Sequence, residues 1–194
     1  MMNRLIVFLL CMLLSFYASS AEKYKHEKLR INAVSLSYYN PVISDQSFGF
    51  YPGWKAGAET FIYVDRKIRE KENQQLVFED YIVLFGVNTG GYLLPSHYFS
   101  QFLQSEIIFR YISNLGIVAG TTVGVGFLKK IYFNGSPNTV LGSWYLFPSF
   151  GILTGYDFKR KFRKPFTVTF KACIAPVGND HMASLEAGVI YRIK

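Results

Sequence analysis

Residues Gly116 to Leu128, GIVAGTTVGVGFL, form the stretch on which the fold turns. It is apolar enough to suggest a membrane helix, yet its residues alternate with period 2. One phase reads Gly116, Val118, Gly120, Thr122, Gly124 and Gly126, and the other reads Ile117, Ala119, Thr121, Val123, Val125 and Phe127. Successive side chains of a strand point to opposite faces, so this is a strand with one greasy face and one small, weakly polar face. Such a division suits a closed barrel in lipid. The GxxxG spacing of Gly116, Gly120 and Gly124 would mark a helix-pairing surface only in a helix.

Working outward, period-2 segments separated by turn residues predict eight strands. They fall near 28–39, 54–66, 76–88, 103–113, 116–132, 147–158, 165–175 and 183–193. In the seventh, Phe166, Val168, Phe170, Ala172 and Ile174 oppose Thr167, Thr169, Lys171 and Cys173. In the eighth, Leu185, Ala187, Val189, Tyr191 and Ile193 oppose Ser184, Glu186, Gly188 and Arg192. In the fourth, Ile107, Phe109 and Tyr111 oppose Glu106 and Arg110. The apolar faces are expected to meet lipid and the others the lumen. The first strand is less regular: Leu29, Ile31 and Ala33 share a phase that runs into Ser35 and Ser37, which predicts a bulge or slip.

The connections alternate in character. Odd strands are followed by stretches rich in Gly, Pro, Asn and aromatics, at 40–53, 89–102, 134–145 and 176–182. Even strands are followed by charged or tight turns at 67–75, 113–115 and 159–164. Long loops at one end and short turns at the other, with both termini on the short-turn side, are the pattern of outer-membrane barrels. Aromatics near strand ends suit interfacial girdles: Tyr38, Tyr39, Phe48, Phe50, Tyr51, Trp54, Trp144, Tyr145, Tyr156 and Phe158.

Composition agrees. Charged residues are 18% of the chain, against about 25% in ordinary soluble domains, and aromatics are also 18%. A soluble lipocalin-like barrel would turn its polar phase to water. Here that phase is Gly, Thr and Ser with scattered charges, too few for a water-facing surface.

The stretches GTTVGVGFL (120–128), FPSFGILTGYDF (147–158) and ASLEAGVIYRI (183–193), with a weaker echo in FGVNTGGYLL (85–94), resemble the small outer-membrane β-barrel proteins common in Bacteroidetes. The resemblance covers the second half of the chain and implies an architecture, without an activity. It departs at the end, where Tyr191-Arg192-Ile193-Lys194 replaces the terminal aromatic that often assists recognition by the outer-membrane assembly machinery.

The front of the chain reads as an export signal. Asn3 and Arg4 precede an apolar run from Leu5 to Phe16, and Ala18-Ser19-Ser20-Ala21 supplies the small residues of a cleavage site. The expected organisation is a cleavable signal peptide at 1–21 and one barrel domain at 22–194. Cleavage would leave 173 residues, Cys173 as the sole cysteine and a formal charge of +7 in place of +8. A basic balance in an exported chain is explained by lipid phosphates, and no nucleic-acid partner is expected. The dense run Lys159-Arg160-Lys161-Phe162-Arg163-Lys164 is read as a solvated turn facing the periplasm.

Chemistry is sparse. Small outer-membrane barrels include lipid A deacylases, and chemistry of that kind needs a hydroxyl nucleophile, a histidine base and an acid. The nearest residues are Ser96, His97, Ser100 and Glu106. In a strand His97 and Ser100 would face opposite sides, and both fall in an expected loop after Pro95. His26, His97 and His181 are scattered, with no metal-ligand spacing, so no catalytic, cofactor or metal residue is assigned.

The inward charges Glu106, Arg110, Lys171, Glu186 and Arg192 carry a mechanical expectation. An eight-stranded barrel is wide enough only for its own side chains, so opposite charges inside would plug it. The expected fold is therefore an all-β, eight-stranded antiparallel up-and-down transmembrane barrel in a Gram-negative outer membrane. The expected role is non-enzymatic, structural or binding through extracellular loops, with outer-membrane lipids and the assembly machinery as partners. A lipid A deacylase-like enzyme and a soluble periplasmic carrier of an apolar ligand are the alternatives.

Overall fold

The computed structural model describes residues 31–43, 51–70, 76–94, 98–132, 144–177 and 180–193. Eight strands run around a closed barrel in chain order, each antiparallel to the next. They are β1 (Ala33–Ile43), β2 (Gly53–Glu70), β3 (Leu76–Leu94), β4 (Tyr98–Ile112), β5 (Ile117–Tyr132), β6 (Trp144–Asp157), β7 (Phe166–Val177) and β8 (Asp180–Arg192). β1 pairs with β8 from Ala33↔Arg192 to Ile43↔Met182, which closes the cylinder and leaves no edge strand. A single-turn helix, α1 (Phe158–Phe162), joins β6 to β7. The expected signal segment lies outside the described residues.

Alternation decides which side chains are inside. On β5 the Gly116–Gly126 phase faces the lumen and Ile117, Val125 and Phe127 stand exposed. Outward residues of β7 and β8 follow suit, with Phe170 57%, Ile174 63%, Leu185 58% and Val189 45% exposed. From Ile117 to Phe127 every outward side chain of β5 is uncharged. At roughly 3.4 Å per residue and a tilt near 40°, that run stands about 25 Å tall, the height of the apolar band on outer-membrane barrels.

Three expectations need correction. β1 carries no bulge: its register against β2 and β8 is unbroken, with Ala33, Ser35 and Ser37 inward and Val34, Leu36 and Tyr38 outward. Ile31 broke the pattern because it precedes the strand. The irregularity sits in β2 between Phe61 and Tyr63. It switches parity, so that Lys55 and Glu59 point inward before it and Val64 packs inward after it.

The stretch 89–102 is mostly strand, since β3 runs to Leu94 and β4 starts at Tyr98. Gly90 and Gly91 look like turn residues, but they make room within the hairpin. A Cβ on Gly90 would stand 2.4 Å from Phe102 Cζ, and one on Gly91 would stand 2.7 Å from the Ser100 carbonyl oxygen. Likewise 176–182 is not a long loop, because β7 reaches Val177 and β8 begins at Asp180.

The barrel wall is looser at one place. The β6–β7 ladder ends at Phe150↔Ile174 although both strands continue toward the end remote from the termini. Extending its register sets Pro148 against Pro176, and neither has an N–H to give.

Candidate functional site

The candidate site is the filled lumen, built in layers. At the end remote from the termini, Tyr39, Tyr92, Tyr98, Phe102 and Phe147 are buried together, with Tyr51 and Tyr145 packed against them. Tyr39 lies 5.2 Å, centroid to centroid, from Phe102. Lys130 Nζ stands 5.0 Å from the Tyr98 ring centre and 5.3 Å from that of Tyr145. Such a cation held over aromatic faces is attracted by their quadrupoles. Tyr38, Trp54 and Trp144 do face outward as girdle residues, whereas Tyr39 is 5% exposed inside. Adjacent tyrosines on a strand take opposite faces, so the pair Tyr38-Tyr39 serves both sides of the wall. Phe48 and Phe50 lie outside the described residues.

Beneath the aromatic layer is a charged one. Glu106 Oε1 accepts from Lys171 Nζ at 2.5 Å and from Lys55 Nζ at 3.5 Å, while its Oε2 accepts from Asn88 at 3.1 Å. Lys55 also donates to Glu186 Oε1 at 3.1 Å. Gln104 donates to Ser149 Oγ at 2.6 Å. Arg110 reaches over β3 to Glu59 in a two-pronged pair, at 3.0 and 2.8 Å. Three cations, Lys55, Arg110 and Lys171, thus meet three carboxylates, Glu59, Glu106 and Glu186, so the layer is neutral. All are largely shielded from water, and a buried charge is tolerated only when paired and hydrogen-bonded.

The glycine phase of β5 and β6 makes space for these long side chains. A Cβ on Gly124 would lie 2.5 Å from the Ser105 carbonyl oxygen and 2.8 Å from Glu106 Cγ, and one on Gly151 would lie 2.9 Å from Lys171 Cε. Gly124→Val is therefore expected to destabilise the barrel by about 1–3 kcal/mol through overpacking. Urea titration followed by tryptophan fluorescence measures it, and an unchanged midpoint would mean that the lumen has slack.

Toward the termini comes an apolar layer of Ile82, Leu84, Ile108, Ile112, Val118 and Leu153. Below it two arginine–aspartate clusters close the end. Asp80 takes Arg66 at 2.8 Å and also Arg160 of α1. Asp157 takes Arg192 at 2.8 Å, accepts from Thr167 Oγ1 and caps α1 through the Lys159 N–H.

The inward charges anticipated from sequence are thus all inside, but they are partnered differently. Glu106, Lys171 and Glu186 join one network through Lys55; Arg110 pairs with Glu59; Arg192 belongs to the terminal cluster. Lys55 and Glu59 were missed. Their signal was Lys55-Ala-Gly-Ala-Glu59, in which alanine outside and glycine inside leave the phase hard to see.

Of the hydrolytic candidates, the two among the described residues, Ser100 and Glu106, are not brought together. Ser100 lies on β4 instead of in a loop, fully buried, and its hydroxyl has no hydrogen-bond partner among the described residues. Glu106 is three inward positions farther along the same strand and is held by the lysines. Ser96 and His97 lie outside the described residues, as does His26. His181 falls on β8 opposite Pro176, in a strand and not a loop. Among the described residues no cluster of His, Cys, Asp and Glu is arranged to hold a metal ion.

No protein-family model and no curated protein sequence matches the chain. Solved structures do match in fold. The N-terminal β-barrel domain of Pseudomonas aeruginosa OprF is 12% identical, with TM-score 0.54, over 84% of this chain and 98% of that one. Neisserial surface protein A (NspA) is 14% identical, with TM-score 0.50, over 86% of this chain and all of that one. The outer membrane enzyme PagL is 9% identical, with TM-score 0.46, over 82% and 99% of the two chains, a likeness that says nothing about activity. The chain is an eight-stranded antiparallel barrel of the outer-membrane type.

Proposed function

We propose that this protein is a non-enzymatic barrel of a Gram-negative outer membrane, closed to bulk diffusion, of the small Bacteroidetes type that its second half resembles. The observation that carries the reading is the pairing of a filled lumen, whose charged layer is balanced, with an uncharged outward band. A lumen packed with its own side chains leaves no path for solutes. The binding role falls to the connections at the end remote from the termini, of which those spanning 44–52 and 133–143 are the longest. The lipids around the barrel and the machinery that inserts it are its other partners.

Three measurements test this together. The protein is expected in the outer-membrane fraction with heat-modifiable gel mobility, and its planar-bilayer conductance is expected near background. Lipid A mass spectra are expected to be identical with and without it. Recovery in the soluble periplasm would replace the reading with a carrier of apolar ligands, and a large steady conductance would replace it with a pore. An acyl-chain change abolished by Ser100→Ala or His97→Ala in an assembled barrel would establish a lipid-modifying enzyme.

A further inference from the structure

The turn between β6 and β7 presents charge that the barrel itself does not use. Of its cations, Arg160 is drawn inward to Asp80. Lys159, Lys161, Arg163 and Lys164 stand exposed, and the two carboxylates that the turn is bonded to are occupied: Asp157 by Arg192 and the helix cap, Asp80 by Arg66 and Arg160. In the midst of these cations Phe162 is 52% exposed, with Lys161 Nζ 5.7 Å from its ring centre. Phe162 continues an aromatic cluster that begins on the barrel's outer face. Phe158 lies 5.0 Å from Tyr156, 4.6 Å from Phe166 and 5.7 Å from Phe162, centroid to centroid. The turn therefore sits at the lip of the apolar band, where amphipathic side chains keep their stems in hydrocarbon and their charges at headgroup level.

A solvated turn would account for exposed lysines, and a helix C-terminus favours cations. Neither accounts for two details. An exposed phenylalanine among four cations is a poor choice for a turn in water. Arg163 ends α1 in the left-handed region, at φ 56° and ψ 20°, where glycine or asparagine is the unstrained choice. The chain accepts that strain and keeps a cation there.

We propose that Lys159, Lys161, Phe162, Arg163 and Lys164 form a binding site for the phosphate headgroup of an anionic phospholipid. The acyl chains of that lipid lie along Tyr156 and Phe166. The site belongs to the leaflet at the end that holds both termini. It rests on the reading of the barrel as membrane-spanning, and its test separates the two.

With Trp54 and Trp144 replaced by phenylalanine, Phe162→Trp gives a single reporter at the site. The full chain is folded into phosphatidylcholine vesicles that carry the same mole fraction of brominated phosphatidylglycerol or of brominated phosphatidylcholine. Brominated phosphatidylglycerol is expected to quench with at least about fivefold tighter association, the factor that one lysine or arginine near an anionic surface supplies. Raising salt should erode the preference. Inorganic phosphate at matched ionic strength should leave it intact, because the site takes a headgroup together with its chains. Arg163→Gly is expected to keep or raise thermal stability while weakening the preference, which a purely structural role for Arg163 would not do. Equal quenching by the two lipids, or a preference that survives Lys159→Gln, Lys161→Gln and Lys164→Gln together, would overturn the site. No quenching by either lipid would overturn the membrane-spanning reading and the site with it.

Discussion

Arg110→Ala is expected to lower the stability of the barrel by about 3–5 kcal/mol, because it removes one partner of a buried ion pair and leaves the other behind. Glu59 would be left buried without its cation, since Lys55 and Lys171 are engaged by Glu106 and Glu186. Arg110 also lies between Ile108 and Ile112, so the lost bonds are bordered by apolar side chains that cannot replace them. Arg66→Ala provides the contrast. Arg66 is 57% exposed on its side chain and Asp80 retains Arg160, so its removal should cost no more than about 1 kcal/mol. The measurement is the urea midpoint of refolded protein, read by gel mobility and fluorescence. The double variant Glu59→Leu, Arg110→Met should recover most of the loss, since a buried pair replaced by apolar groups of similar volume is often neutral. If Arg110→Ala alone unfolded at the parent's urea concentration, the lumen would have to be wet enough to solvate Glu59.

The eight strands and their facing were legible wherever one phase was bulky and apolar and the other small or charged. β5, β7 and β8 have that form, and their outward residues in the structure are those the alternation names. Strand lengths were not legible. Gly90, Gly91 and Pro176 carry turn chemistry, but paired strands hold them in the wall, on both sides for the glycines and on the β8 side for Pro176, and the glycines are required by Phe102 and by the Ser100 backbone. Nor did the irregular phase of Ile31 and Ala33 locate the bulge. A bulge belongs to a pair of strands, and this one lies in β2 against β3, just past Glu59, where the pairing of β2 with β1 ends.

The interior was legible as a set of charges and illegible as a set of pairs. Glu106, Arg110, Lys171 and Glu186 are inward by parity alone, which is a local property. Which carboxylate meets which cation depends on strand order and on the stagger around the cylinder, and these bring Glu59 of β2 to Arg110 of β4 over the inner face of β3. The aromatic layer was misread for a related reason. Tyr39 and Tyr145 look like girdle residues from their position near strand ends, yet parity turns Tyr39 inward, where Tyr92, Phe102 and Phe147 cover it. Aromatics at the end of a narrow barrel can close its mouth as well as mark the membrane surface.

Val189→Arg is expected to cost about 2–4 kcal/mol of folding free energy in a bilayer. Val189 points outward, 45% exposed, opposite Val168 on β7 and Leu36 on β1, within a surface that holds no charge across these three strands. In lipid the guanidinium must be buried in hydrocarbon or reach for the interface. In water the same substitution would add a solvated charge and change stability by no more than about 0.5 kcal/mol. The size of the effect therefore reads the solvent outside the barrel directly. Folding yield and urea stability should be measured in lipid vesicles for Val189→Arg and for Thr169→Arg, which points a further cation into the lumen, next to a charged layer that is already balanced. Both are expected to fail, the first through the cost of charge in hydrocarbon and the second through crowding and unpaired charge inside. If Val189→Arg instead folded and resisted urea as the parent does while Thr169→Arg did not, the outer face would be a water-facing one, and the barrel would be a soluble protein with its charges sealed inside.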